Sequence, residues 1–221
     1  MASIDKEELI KLLDLHERWL RGEGGGEQAV LAHQDLSSVD LVSANLEKAD
    51  LSGSDLRGAD LTAVNLKAAK LAGANLEYAL LVSATMEGTL LDDAILLRAD
   101  LSKSLIVYAS FKHADLTGAR LDQAAIMSGN FTGAILKSAS LDHARFNKSI
   151  LQGADLSGAN LRGVSIYGAD LRDVLLVNAN LTGAHFREAI LSNADFSGAI
   201  LKGSNLKSKE LRGTRNRFQF Q

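Results

Sequence analysis

The chain contains no cysteine and no proline, and only 5% of its 221 residues are aromatic, with a single tryptophan. Without cysteine there are no disulfides and no thiolate metal sites. The N-terminus, Met1-Ala2-Ser3-Ile4-Asp5-Lys6-Glu7-Glu8, lacks the apolar core of a signal peptide. No apolar stretch approaches the roughly 18 residues of a membrane span, and the expectation is a cytoplasmic protein without a membrane partner. A formal net charge of −3 speaks against an electrostatic footprint for nucleic acid. Catalytic motifs are also missing. The glycines of 22 to 26 precede neither a Lys-Ser/Thr pair nor a helix start, so they are no phosphate cradle. The five histidines, at 16, 33, 113, 143 and 185, stand at no metal-ligand spacing and read as solvated or packing residues. No enzyme activity, metal or cofactor is expected.

What the chain has in abundance is one rule. From Leu31 to Leu211 every fifth residue is large and apolar, giving 37 centres, of which 28 are Leu, five Phe, three Ile and one Met. Two residues before each centre the side chain is small, with Ala at 25 of 37 positions and only Gln34 and Lys209 outside the small set. Five residues turn an α-helix by about 500° and would smear the centres around it; an odd period would flip them across a strand. The unit is therefore a short extended piece followed by a turn. A longer period lies inside the first, because Met86, Ile106, Ile126, Phe146, Ile166 and Phe186, six of the nine non-Leu centres, are each 20 apart. Residue i should then stack on residue i+20 in a solenoid of four pentads per coil.

Turn chemistry fits such a coil. Gly stands two residues after the centre at 14 of 37 positions, Gly53, Gly58 and Gly153 among them, where a type II corner needs a positive φ. The other 23 corners are expected to be of another type. The centre and the small residue before it should point inward, and the residue between them outward; that residue is Asp or Asn at 17 of 37 sites.

Runs such as Ala49-Asp50-Leu51-Ser52-Gly53 and Ala154-Asp155-Leu156-Ser157-Gly158 make the chain resemble the pentapeptide repeat family. The resemblance covers 29 to 213 and implies an all-β solenoid, a right-handed quadrilateral parallel β-helix; at about 4.8 Å per coil, nine coils would span roughly 45 Å. It implies no single function and no catalytic residues. The division expected is 1–28 as an N-terminal α-helical cap and Gly-rich loop, 29–213 as the β-helix, and 214–221 as a C-terminal tail. Within the first segment Asp5 and Glu8 form a capping-box-like start, and Leu9, Leu12, Leu13, His16, Trp19 and Leu20 make one apolar stripe. Such a helix would cover the open first coil.

Function should then lie on the outer faces. The face built on Leu46, Leu66, Met86 and their successors to Leu206 carries +3 and presents Leu105, Val107, Tyr108, Met127 and Tyr167 outward, with Arg145, Lys148 and Arg187 beside them. Exposed apolar residues rimmed by charge suggest a protein contact, and the leading expectation is a non-catalytic interaction module or regulator whose partner is a protein. The competing expectation draws on relatives that mimic duplex DNA and bind type II topoisomerases such as DNA gyrase. The face built on Leu36, Leu56 and their successors carries −3, and Asp35, Asp55, Asp115, Asp155 and Asp195 would form its acidic column. Yet 29–213 holds 20 acidic against 18 basic side chains, too balanced for a dense negative field. By analogy with those relatives, Leu211, Phe218 and Phe220 are the candidates for a homodimer contact at the C-terminal end.

Overall fold

The computed structural model describes residues 2–206 and 213–214. It is a parallel β-helix with one N-terminal helix. Residue i pairs with residue i+20 along the whole stack, as in Asp50↔Lys70↔Leu90↔Ser110. From the second coil on, a residue preceding a centre both donates to and accepts from the coil before it: Asp50 N–H donates to Ala29 O at 2.9 Å, and Leu31 N–H donates to Asp50 O at 2.7 Å. Most pairings are single bridges, since a pentad has room for little more before it turns.

All 36 described centres, Leu31 to Leu206, are buried, and the small residues beside them pack against the same core. The 20-residue echo has a packing meaning. Phe111 and Phe131 stack with ring centroids 4.7 Å apart, and Phe146 meets Phe131 edge-on at 5.3 Å. Gly129 stands where Ala is usual because a Cβ there would lie 3.0 Å from Phe131 Cε2 and 3.1 Å from Ile126 Cγ2.

The corners correct the sequence expectation. It is not only the glycines that turn through positive φ: 22 non-Gly corners, from His33 to Asn193, hold φ between +53 and +61°. The pattern at a corner such as Leu71 to Ala74, closed by Ala74 N–H to Leu71 O at 3.0 Å with Gly73 at φ +65°, recurs at most corners with Gly or non-Gly alike, and Tyr108 and Ser128 keep the positive φ where that closing bond is absent. Left-handed geometry costs an L-residue about 1–2 kcal/mol, but each corner N–H also bonds the coil ahead, as Ser43 N–H does to Thr62 O at 2.8 Å. A corner of another shape would break that ladder, so stacking overrides local preference.

The outward Asp and Asn residues have a task that alternation alone does not reveal. At 16 of the 17 sites the side-chain Oδ1 accepts from the backbone N–H two residues on, as Asp50 does from Ser52 and Asp115 from Thr117. That N–H opens the turn and has no ladder partner; the Asx turn satisfies it.

At the N-terminal end α1 (Lys6–Leu20) is capped by Asp5, whose carboxylate accepts from Glu8 N–H at 2.8 Å. Leu9 and His16 are its buried residues. The helix is closed off by Arg21 and the Gly-rich loop, where Gly26 fits so tightly that a Cβ would stand 2.2 Å from Trp19 N. One element was not foreseen: β1 (Ala2–Ser3) pairs in parallel with β2 (Gln34–Asp35) and covers part of the first coil's free edge. Gln34, an exception to the small-residue rule, lies at this end, beside the strand that replaces a preceding coil.

Candidate interaction surface

Most pentads leave the ladder after one bridge, but on one face three successive pentads stay extended for three residues each. These are β3 (Leu105–Val107), β4 (Ala125–Met127) and β5 (Arg145–Asn147), paired in parallel in the order β3-β4-β5. The chain bends after Ile106 and Ile126 without a closed turn. In each strand the centre points inward, so the residues on either side form two outward rows. One row is Leu105, Ala125 and Arg145; the other is Val107, Met127 and Asn147. Every residue assigned to this face from the sequence falls on this sheet or its continuation: Tyr167 and Arg187 follow Asn147 at steps of 20, and Tyr108 and Lys148 stand at its corners.

The side chains are available to a partner. Leu105 is 42% exposed, Tyr108 69% and Met127 43%, while Val107 and Tyr167 are half-buried. The cations differ among themselves. Arg187 lies 3.6 Å from Glu188, but among the described residues Arg145 and Lys148 have no carboxylate partner. Glu188 also raises the Tyr167 phenol from its usual value. The patch thus combines an apolar strip with two cations that no carboxylate of the described residues pairs.

The acidic column is geometrically real, since Asp35, Asp55, Asn75, Ile95, Asp115, Ile135, Asp155, Leu175 and Asp195 stack in that order. Three aliphatics interrupt it. Its carboxylates are also engaged: Asp55 is paired with Arg57 at 2.5 Å and Asp155 with Lys137 at 3.1 Å, and all five accept from their own turn N–H. Hydrogen bonding from Ser37 lowers the pKa of Asp35, and Arg57 lowers that of Asp55. Burial alone would raise Asp155, but the Ser157 hydroxyl and N–H together with Lys137 outweigh it and hold it low. Leu211, Phe218 and Phe220 lie outside the described residues.

Among the described residues no cluster of His, Asp and Glu could hold a metal ion, and no helix is long and apolar enough to cross a membrane. The corner histidines have a packing role the sequence analysis missed. His33, His113 and His143 each lay the imidazole over the corner glycine 20 residues on, where a Cβ on Gly53, Gly133 or Gly163 would stand 2.5–2.6 Å from the ring. A His-to-Gly spacing of 20 was the available signal.

Among curated proteins none matches the sequence. Among solved structures, HetL from the cyanobacterium Nostoc sp. PCC 7120, a pentapeptide repeat protein involved in heterocyst differentiation regulation, is 24% identical over 92% of this chain and 95% of its own, with a TM-score of 0.36. Rfr23 from the cyanobacterium Cyanothece 51142 is 31% identical over 45% of this chain and 62% of its own, at a TM-score of 0.33. A trypsin-treated variant of QnrB1, a plasmid-mediated fluoroquinolone resistance protein, is 18% identical over 83% of this chain and 92% of its own, at a TM-score of 0.50. The family model for pentapeptide repeats matches in overlapping stretches that together run from residue 27 to 207, with eight copies. Buried centres at every fifth residue, pairing at every twentieth and this match lead to one conclusion: the chain belongs to the pentapeptide repeat family.

Proposed function

We propose that the protein is a non-catalytic interaction module of the cytoplasm that docks a protein partner on the β3-β4-β5 face. The observation that carries this reading is the coincidence of the three longest strands described in the coil with exposed Leu105, Tyr108 and Met127 and with Arg145 and Lys148, cations without a carboxylate partner among the described residues. Interfaces are built from such apolar anchors with a polar rim. The partner that complements it carries acidic side chains around an apolar contact. The module comprises the cap of 1–28, the coil of 29–213 and the tail of 214–221. Its coil is right-handed and quadrilateral: four corners per 20 residues support the four-sided section, and the handedness of parallel β connections supports the twist.

The test is affinity capture with the wild type and with Val107→Glu combined with Met127→Glu. Outward positions carry little core energy, so the variant should keep its melting temperature and lose the partner. Undiminished capture at equal stability overturns the reading.

Mimicry of DNA toward a type II topoisomerase is the second reading. The single column of Asp35, Asp55, Asp115, Asp155 and Asp195 favours it, as does the fold shared with QnrB1. Carboxylates turned onto their own backbone and interrupted by Ile95, Ile135 and Leu175 weigh against it. A gyrase supercoiling assay with and without a fluoroquinolone decides, inhibition or protection at micromolar protein supporting mimicry. A homodimer through Leu211, Phe218 and Phe220 belongs to the same proposal, and light scattering of the full chain and of a chain lacking 214–221 tests it.

A further inference from the structure

One hydrogen bond of the N-terminal cap depends on a titratable group. His16 lies on the buried side of α1 and is itself fully buried. Its Nδ1 accepts from the Ala29 backbone N–H at 3.0 Å. Ala29 is the small inward residue of the first pentad, so this bond runs directly from the helix to the coil it covers. A ring nitrogen that accepts is unprotonated, and the imidazole is therefore neutral with its proton on Nε2. Nε2 is buried and, among the described residues, has no hydrogen-bond partner at bonding geometry. The ring stacks on Trp19, centroids 5.6 Å apart at 16°.

We propose that His16 is a pH-operated latch that docks the N-terminal cap on the first coil when neutral and releases it when protonated. A second proton on Nδ1 converts the acceptor into a donor, leaving two N–H groups opposed across a gap of 3.0 Å. A cation would also be enclosed where the neutral ring now packs, and buried cations without a partner are costly. The charged groups that face the ring are Glu17 on α1 and Glu47 on the first coil, the latter with its backbone carbonyl as well. Burial lowers the His16 pKa from 6.5 and outweighs these groups, which raise it. Each of the two carboxylates shares its charge with a cation, Glu17 with Arg21 at 3.5 Å and Glu47 with Lys48 at 3.3 Å. A histidine lowered by folding contributes its full stabilisation above the unfolded value of 6.5, and that contribution falls away as pH drops below it. Acidification therefore loosens the cap first. The coil beyond it is held by apolar centres that do not titrate.

Trp19 is the chain's only tryptophan and reports on this contact directly. In the full chain taken from pH 8 to pH 5, its emission should shift to the red with a midpoint below 6.5, and the intrinsic-rate-corrected protection of the Ala29 amide should fall at least tenfold. The far-UV strand signal should stay unchanged. His16→Gln keeps a side-chain acceptor but cannot titrate, and it should remove both steps. Proton NMR of the His16 ring in the wild type supplies a readout independent of any variant. A His16 that titrates at or above 6.5, or that titrates without loss of Ala29 protection, overturns the latch; so does a red shift that persists in His16→Gln.

Discussion

The pairing of Gly129 with Phe131 offers a cycle in which one substitution should reverse its sign. Ala is the common residue at the position of Gly129, and Gly129 is not among the residues at positive φ, so Gly129→Ala carries no backbone strain. Its cost comes from contact alone: the new Cβ would stand 3.0 Å from Phe131 Cε2 and 3.1 Å from Ile126 Cγ2. Phe131 cannot yield, being stacked on Phe111 at 4.7 Å and met edge-on by Phe146 at 5.3 Å. Overpacking of this kind costs about 1–3 kcal/mol, and removal of a glycine from the unfolded chain returns about 0.4–1 kcal/mol. Gly129→Ala should thus destabilise by about 1–2 kcal/mol. Phe131→Leu alone forfeits two aromatic contacts of about 0.5–1.5 kcal/mol each. In the Phe131→Leu background Gly129→Ala should be neutral or stabilising by up to about 1 kcal/mol, leaving a coupling energy of about 1–3 kcal/mol. Urea unfolding of the four proteins, followed by far-UV circular dichroism with midpoints and m-values compared, measures it. Equal cost of Gly129→Ala in both backgrounds would refute the contact argument.

Leu121→Asp, which buries an unpaired carboxylate between stacked coils, should cost more than about 4 kcal/mol, whereas Gln123→Asp at an exposed corner of φ +60° should stay within about 0.5 kcal/mol in the same urea assay. Gly26→Ala should lower the melting temperature and expose Trp19, because its Cβ meets backbone at 2.2 Å; Gly24→Ala, with nothing within 4 Å, should change neither. Hydrogen bonds from Ser52 lower the pKa of Asp50, and Arg57 and Arg172 lower those of Asp55 and Asp170. Their stabilisation is complete above the unfolded value of 3.8 and is lost as pH falls through the lower folded values. The urea midpoint should therefore drop below about pH 4, less steeply in Asp55→Asn with Asp170→Asn; a flat profile in the wild type would contradict the assigned roles.

The periodic part of the sequence was the legible part. Centres 31 to 206, their small neighbours and the stacking of i on i+20 could be read directly, because a hydrophobic period records which residues face the core. The gathering of Leu105, Val107, Met127 and Tyr167 on one face followed from the same register, and Asp5 as helix cap from its spacing to Glu8. The corners misled because φ was inferred from residue type, while 22 non-Gly residues adopt the geometry that the hydrogen-bond ladder imposes. β1 is two residues long and carries no periodicity of its own. The Asx role of the outward Asp and Asn residues was missed because alternation says only that a side chain points out, not which backbone N–H it then meets.

Placement of the docking surface on the β3-β4-β5 face is the central claim, and site-specific photocrosslinking addresses it most directly. A benzophenone side chain is introduced in place of Tyr108 in one protein and of Asp195 in another, positions on different faces of the coil, and each is illuminated with the captured partner. Docking on the β3-β4-β5 face should give an adduct from position 108 that is suppressed by excess wild-type protein, and none from 195. An adduct from 195 with none from 108 would move the site to the acidic column and contradict it.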